Sequence, residues 1–274
     1  MLPELTTAQA LVLALLGLSV GTVGALAGVG GGFLLVPVLL FIFPDADPAS
    51  VTAISLTSVL FTAASASVGF RLSRLQDFRT AGILITLAVP AAAGGALLNR
   101  VTDRSAFETI FAVALLLGAS YLIARSALES RTEEPSTRGR ARTIVEKTGQ
   151  IYNYRVNEPL TAAIAPVAGF FAGFFGIGGG VMNVPIMMLV IRIPKAVAVA
   201  TSQLELTAAA TAALAVHIAF SGDEASLWLR AGITGVGAML GAQIGVRLVP
   251  RVSGRLVLGV IGAGLLIAGA RLLL

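Results

Sequence analysis

Two runs of glycine carry the chemistry this chain can offer a solute. Gly28-Val29-Gly30-Gly31-Gly32 is followed by Pro37, and Gly176-Ile177-Gly178-Gly179-Gly180 is followed by Pro185. Consecutive glycines destabilise a helix and admit positive φ. Backbone N–H groups released there need a partner from protein, water or ligand when hydrocarbon surrounds them. A short helix starting at such a point adds the positive end of its dipole. Together these make a cradle for an anion, with Gly30, Gly31, Gly32, Gly178, Gly179 and Gly180 as candidate donors. Downstream of each run lies a stretch of hydroxyl and amide side chains. Ser55, Thr57 and Ser58 stand in the first, and Thr201, Ser202 and Gln203 in the second. Each can donate a hydrogen bond to an oxyanion. Asn183 sits just after the second glycine run, where the first half has Leu35. It either bonds the solute or satisfies unwound backbone.

The elements that must hold these residues are membrane helices. Of 274 residues, 56% are apolar and 12% charged. A soluble domain cannot cover that much apolar surface with so few charges. Apolar runs fall at 8–28, 33–43, 49–70, 79–98, 105–124, 159–177, 181–191, 194–220, 228–249 and 254–273. Eight approach the roughly 20 residues needed to cross a bilayer. The two that follow the glycine runs have 11 residues each. At ~1.5 Å per residue they reach about half the hydrocarbon thickness. Those segments must therefore turn inside the membrane. The stretch 125–158 holds 12 of the 33 charged residues and reads as a tether. Within it Ile151, Tyr152, Tyr154 and Val156 allow a short ordered element.

The two halves repeat. Residues 28–37 and 176–185 agree at six of ten positions. Ala53-Ile54-Ser55 then aligns with Ala200-Thr201-Ser202, Ala81-Gly82-Ile83 with Ala231-Gly232-Ile233, and Gly95 with Gly245. Matches in this order mark a duplication. Five segments per half is an odd number, so the second half enters from the opposite side. The expected architecture is an all-α integral membrane protein of two inverted repeats. Each has about five helical segments, broken or re-entrant at the glycine motifs. The divisions are a first repeat at 1–124, a linker at 125–158 and a second repeat at 159–274. With both termini outside, 15 of the 19 Lys and Arg residues fall on the inner side, which makes the linker cytoplasmic.

Other chemistries are excluded. There is no cysteine, so no thiolate nucleophile or Cys-based metal site exists. The single histidine, His217, is too little for zinc or a histidine-based triad, and is placed toward the outer interface. No cofactor or metal is expected. Neither glycine run completes the dinucleotide fingerprint, and no P-loop sequence is present. Gly118-Ala119-Ser120-Tyr121 breaks the pattern of an intramembrane serine protease. The net charge of +5 belongs to basic loops and implies no nucleic acid.

Glu205 is the charged residue nearest the centre of an apolar run. A carboxylate beside an anion is repulsive unless it takes up a proton. It is therefore a candidate for proton coupling, or else a static hydrogen-bond partner of a neighbouring helix.

The duplicated Gly-Val-Gly-Gly-Gly…Val-Pro and Gly-Ile-Gly-Gly-Gly…Val-Pro motifs, each followed by its hydroxyl-bearing stretch, resemble the sulfite exporter TauE/SafE family. The resemblance covers nearly the whole chain outside 125–158. It implies a transporter of the bacterial or archaeal plasma membrane, not an enzyme. Its partners would be the lipid bilayer and a small sulfur-containing anion such as sulfite or a sulfonate. The alternatives are a channel or carrier for another small anion, and a permease subunit of a larger complex. The oligomeric state is not legible.

Overall fold

The computed structural model describes residues 5–128, 139–178, 180–220, 225–252 and 254–273. The fold is predominantly helical. The helices are α1 (Thr7–Ala27), α2 (Gly32–Ile42), α3 (Pro48–Leu72), α4 (Phe78–Val101) and α5 (Arg104–Leu128), then α6 (Glu158–Phe175), α7 (Gly180–Leu189), α8 (Lys195–Phe220), α9 (Ala225–Leu248) and α10 (Gly254–Leu273). Among the described residues, six helices are long and apolar enough to cross a membrane: α1, α3, α4, α6, α8 and α9 with its 3-10 extension to Arg251.

Local signals set the helix ends. Thr6 and Gln9 form a capping box at α1. Asp47 caps α3, Asp77 caps α4 and Asn157 caps α6. Proline follows the caps of α3 and α6, where its missing N–H costs nothing.

Packing runs α1, α9, α3, α8, α4, α6 across the molecule, with α5 and α10 paired beside α2 and α7. The order is unchanged when α1, α3 and α4 exchange with α6, α8 and α9. Small residues make the outer contacts close. A Cβ added to Gly21 of α1 would lie 2.6 Å from the Ala238 Cα of α9, and one on Gly169 of α6 would lie 2.6 Å from the Ala88 Cα of α4.

The same contacts give helix directions. Gly17 meets Thr234 and Gly21 meets Ala238, so α1 and α9 are parallel. Gly69 meets Val246 and Gly235 meets Phe61, so α3 runs with them. Ala88 meets Gly169 and Ala92 meets Gly173, so α4 and α6 are parallel. Asp77 meets Thr201 at one end, and Arg100 meets the Phe220 carbonyl at the other, so α8 runs with α4. Residues 73–77 turn the chain back between α3 and α4. Thus α1, α3 and α9 run one way, and α4, α6 and α8 the other.

The all-α expectation needs one correction. The connector contains an antiparallel pair, β1 (Arg140–Val145) and β2 (Ile151–Val156). Gly149, at φ +90°, closes the turn between them, a left-handed position that glycine takes without a Cβ penalty. Arg142 faces Tyr154 and Ile144 faces Tyr152 across the ladder, and this side docks on the helices. Ala141, Thr143, Val145, Ile151, Asn153 and Arg155 are exposed on the other side. Period-two alternation, half covered, made a strand pair of what composition reads as a tether. Residues 129–138 of the connector lie outside the described residues.

Candidate functional site

The first interruption is built from three left-handed glycines. Gly28 caps α1 at φ +76°, and its N–H returns to the Gly24 carbonyl. Gly30 and Gly31 follow at φ +75° and +83°. Helix α2 begins at Gly32, with Pro37 as its sixth residue. The second interruption copies this. Gly176 caps α6 at φ +68°, Gly178 lies at φ +71°, and α7 begins at Gly180 with Pro185 as its sixth residue. Gly179 lies outside the described residues.

The two interruptions touch. A Cβ on Gly32 would lie 2.6 Å from the Gly176 oxygen and 2.7 Å from the Ile177 Cα. One on Gly178 would lie 3.5 Å from the Val29 oxygen and 2.8 Å from Val59 Cγ1, and one on Gly30 would lie 2.9 Å from the same Val59 atom.

Each half closes the interruption of the other. Ser55 Oγ, on α3, donates to the Gly176 carbonyl at 2.6 Å. Ser202 Oγ, on α8, donates to the Gly28 carbonyl at 2.8 Å. These serines stand at corresponding positions, and so do the glycines. A buried carbonyl stripped of its donor costs about 1–3 kcal/mol. Ser55→Ala and Ser202→Ala are each expected to lower the thermal midpoint in detergent by several degrees. Ser19→Ala, an exposed hydroxyl on its own helix carbonyl, is expected to leave the midpoint unchanged.

The other candidates divide by what they touch. Thr57 and Ser58 donate to Ala53 and Ile54 carbonyls of their own helix, at 2.8 and 3.2 Å. Thr201 accepts the Asp77 N–H at 3.0 Å, which turns its oxygen toward the start of α4. Gln203 Nε2 approaches the Gly24 carbonyl at 3.5 Å, the atom that also receives Val29 and Gly30 N–H. Asn183 Nδ2 donates to Glu205 Oε2 at 2.7 Å, joining α7 to α8. Glu205 is fully buried, and its Oε1 and the Oε1 of Gln203 have no hydrogen-bond partner among the described residues. All these side chains are buried, so the interior is closed in this conformation. Asn183 and Glu205 come together. Thr57, Ser58 and Thr201 are engaged elsewhere.

Several polar residues make contacts that the sequence does not announce. Asn99 is 1% exposed and donates to Thr52 Oγ1 and to the Phe174 carbonyl, which fastens α4 to the end of α6. Arg230 is fully buried with its guanidinium 5.0 Å from the Phe43 ring, the residue that ends α2. His217 is 1% exposed, with Arg100 and Asp47 as charged neighbours, and is not placed at a surface. Arg104 holds the end of α2 through the Leu40, Phe43 and Ala46 carbonyls. A buried polar group must be paired, but its sequence position does not name the partner.

Residues 13–272 match the family model described as Sulfite exporter TauE/SafE. The chain is 30% identical over 268 residues to "Probable membrane transporter protein YunE" of Bacillus subtilis (strain 168), covering 96% of each chain. It is 28% identical over 206 residues to "Probable membrane transporter protein MJ0441" of Methanocaldococcus jannaschii, covering 71% of this chain and 68% of that one. No solved structure matches it. A multi-pass helical chain, with its helix ends capped from opposite halves and a family match over nearly its whole length, is a membrane transporter and not an enzyme; it belongs to the sulfite exporter TauE/SafE family.

Proposed function

We propose that this protein is a secondary transporter that exports sulfite, organosulfonates or related sulfur-containing anions. The solute binds at mid-membrane between the two glycine interruptions, and the two halves form an inverted repeat around it. The observation that carries this reading is the reciprocal pair Ser55–Gly176 and Ser202–Gly28. The opposed directions of α1 and α6, and of α3 and α8, support the inverted relation. In the closed form each serine proton is spent on a carbonyl. When the halves part, the hydroxyls and the first amides of α2 and α7 turn to the anion, which supplies the acceptor they lost. Glu205 takes up a proton as the anion enters and gives it up on release, with Asn183 holding its other oxygen. The setting is the bacterial or archaeal plasma membrane, with both termini outside and the connector in the cytoplasm.

The test is counterflow of labelled sulfite and organosulfonates into liposomes holding the purified protein alone. Saturable exchange of sulfur oxyanions is expected, with chloride a poor competitor. Exchange of carboxylates only would replace the substrate class. No anion movement at all would leave the permease-subunit reading.

A further inference from the structure

We infer that the β1–β2 hairpin is a latch that holds closed the end of the protein where α4, α6 and α8 begin. The inference rests on the transporter reading for its meaning, but its geometry is independent of any substrate.

Asp77 is the hub. It is 4% exposed and sits where the turn after α3 becomes α4. Its Oδ1 accepts the Arg79 and Thr80 N–H groups at 3.1 Å each, which caps α4. Its Oδ2 accepts Thr80 Oγ1 at 2.6 Å and the Tyr154 hydroxyl of β2 at 2.9 Å. Arg142 Nε of β1 lies 3.6 Å from the same oxygen. The Asp77 N–H donates to Thr201 Oγ1 of α8 at 3.0 Å. One residue therefore ties the hairpin to α4 and α8. Burial, and the Asp77 carboxylate beside it, push the Tyr154 hydroxyl well above the ordinary phenol range, so it stays a donor.

Glu158 does the same for α6. It is the first residue of that helix and receives Arg142, with Arg79 at 3.2 Å and Arg140 at 3.7 Å. A third fastening is main-chain: the Lys147 N–H, in the hairpin turn, donates to the Ser73 carbonyl at 3.1 Å. The starts of α4 and α6 and the α3–α4 turn are thus pinned by one small element, and Asp77 carries the tie on to α8.

Two features make this a reversible latch. A two-stranded hairpin is marginal in water by itself, so its order depends on the docking. The docking buries Tyr154 and Val156, but the ion pairs around Glu158 stay partly exposed, and contacts of that kind are drawn from the low-stability end of a structure. The hairpin also lies in the single connector between two corresponding halves. It therefore weights one end of a molecule whose helix packing treats both ends alike. Parting α4 from α8 requires the Asp77–Thr201 bond to break. Thr201 is next to Ser202, which holds the Gly28 carbonyl, so release at the surface reaches the interruption within one residue.

The absence of native cysteine makes the test direct. Val197, in the first turn of α8, is fully buried at the latched end. In a Val197→Cys background in nanodiscs, without substrate, the rate of labelling by a hydrophilic maleimide reports opening there. Tyr154→Phe removes one oxygen, and Arg142→Gln removes the charge. Each is expected to raise the rate several-fold, the population shift of one lost hydrogen bond, and the pair about tenfold or more. Tyr154→Phe alone decides the matter if the pair does not fold. An unchanged labelling rate, with or without a lower thermal midpoint, makes the hairpin a static strap and overturns the inference. Faster labelling in a protein that moves no anion in liposomes keeps the latch and removes the transport reading instead.

Discussion

Gly31→Ala is expected to reduce anion flux by at least about tenfold. Gly31 combines a left-handed backbone with no free space. Its φ is +83°, and an added Cβ would lie 2.5 Å from both the oxygen and Cγ1 of Val20. The conformation alone costs an alanine about 1–2 kcal/mol, and insertion into packed backbone typically costs 1–3 more. Val20 belongs to α1, so the side chain cannot swing aside without moving a helix. Gly82→Ala is the control, since an added Cβ on that α4 residue meets nothing within 4 Å. Flux is read by counterflow, and folding by monodisperse elution and thermal midpoint. A folded Gly31→Ala protein with full flux would show that the first interruption does not serve transport.

The second large effect is expected at Glu205. Gln at this position keeps an oxygen for the Asn183 amide, so the α7–α8 brace survives. It cannot take up a proton. Glu205→Gln is therefore expected to retain exchange of anion across liposomes but to lose acceleration by an imposed pH gradient. Asn183→Leu removes the brace and leaves the carboxyl, so it is expected to lower stability while the gradient response persists. Gradient-driven flux of unchanged size in Glu205→Gln would reduce Glu205 to a structural partner. The two variants separate chemistry from packing because one atom of the carboxyl is engaged and the other has no partner among the described residues.

The parts of the site visible in the sequence are those whose cause is local. An 11-residue apolar run cannot cross a bilayer, whatever surrounds it. Consecutive glycines end a helix by their own conformational freedom. Glu205 stands out because hydrocarbon on both sides of a carboxyl is visible in one dimension. The hydroxyl groups were legible as residues but not as contacts. Thr57 and Ser58 turn back on their own helix, while Ser55 crosses to the other half, and only rotation about the α3 axis separates them. Asn99 and Arg230 were hidden for a related reason. Their partners, Phe174 and Phe43, are distant in sequence and meet them through the order of helix packing. Tyr152 and Tyr154 announce an alternating segment, but what covers their face is the Asp77 turn, about 80 residues earlier.

The cross-half pairing of α1 with α9 has a consequence for biogenesis. The first hydrophobic segment leaves the ribosome more than 200 residues before the segment on which it packs, since Gly17 settles against Thr234. At about 5–20 residues per second, it waits roughly 10–40 s in the bilayer without its partner. Neither half can complete its interior alone. Cotranslational insertion must therefore yield a loose set of helices that closes late, when α9 arrives. Mutations in α9 should accordingly expose the nascent chain to quality-control proteases even where they leave the transport pathway untouched.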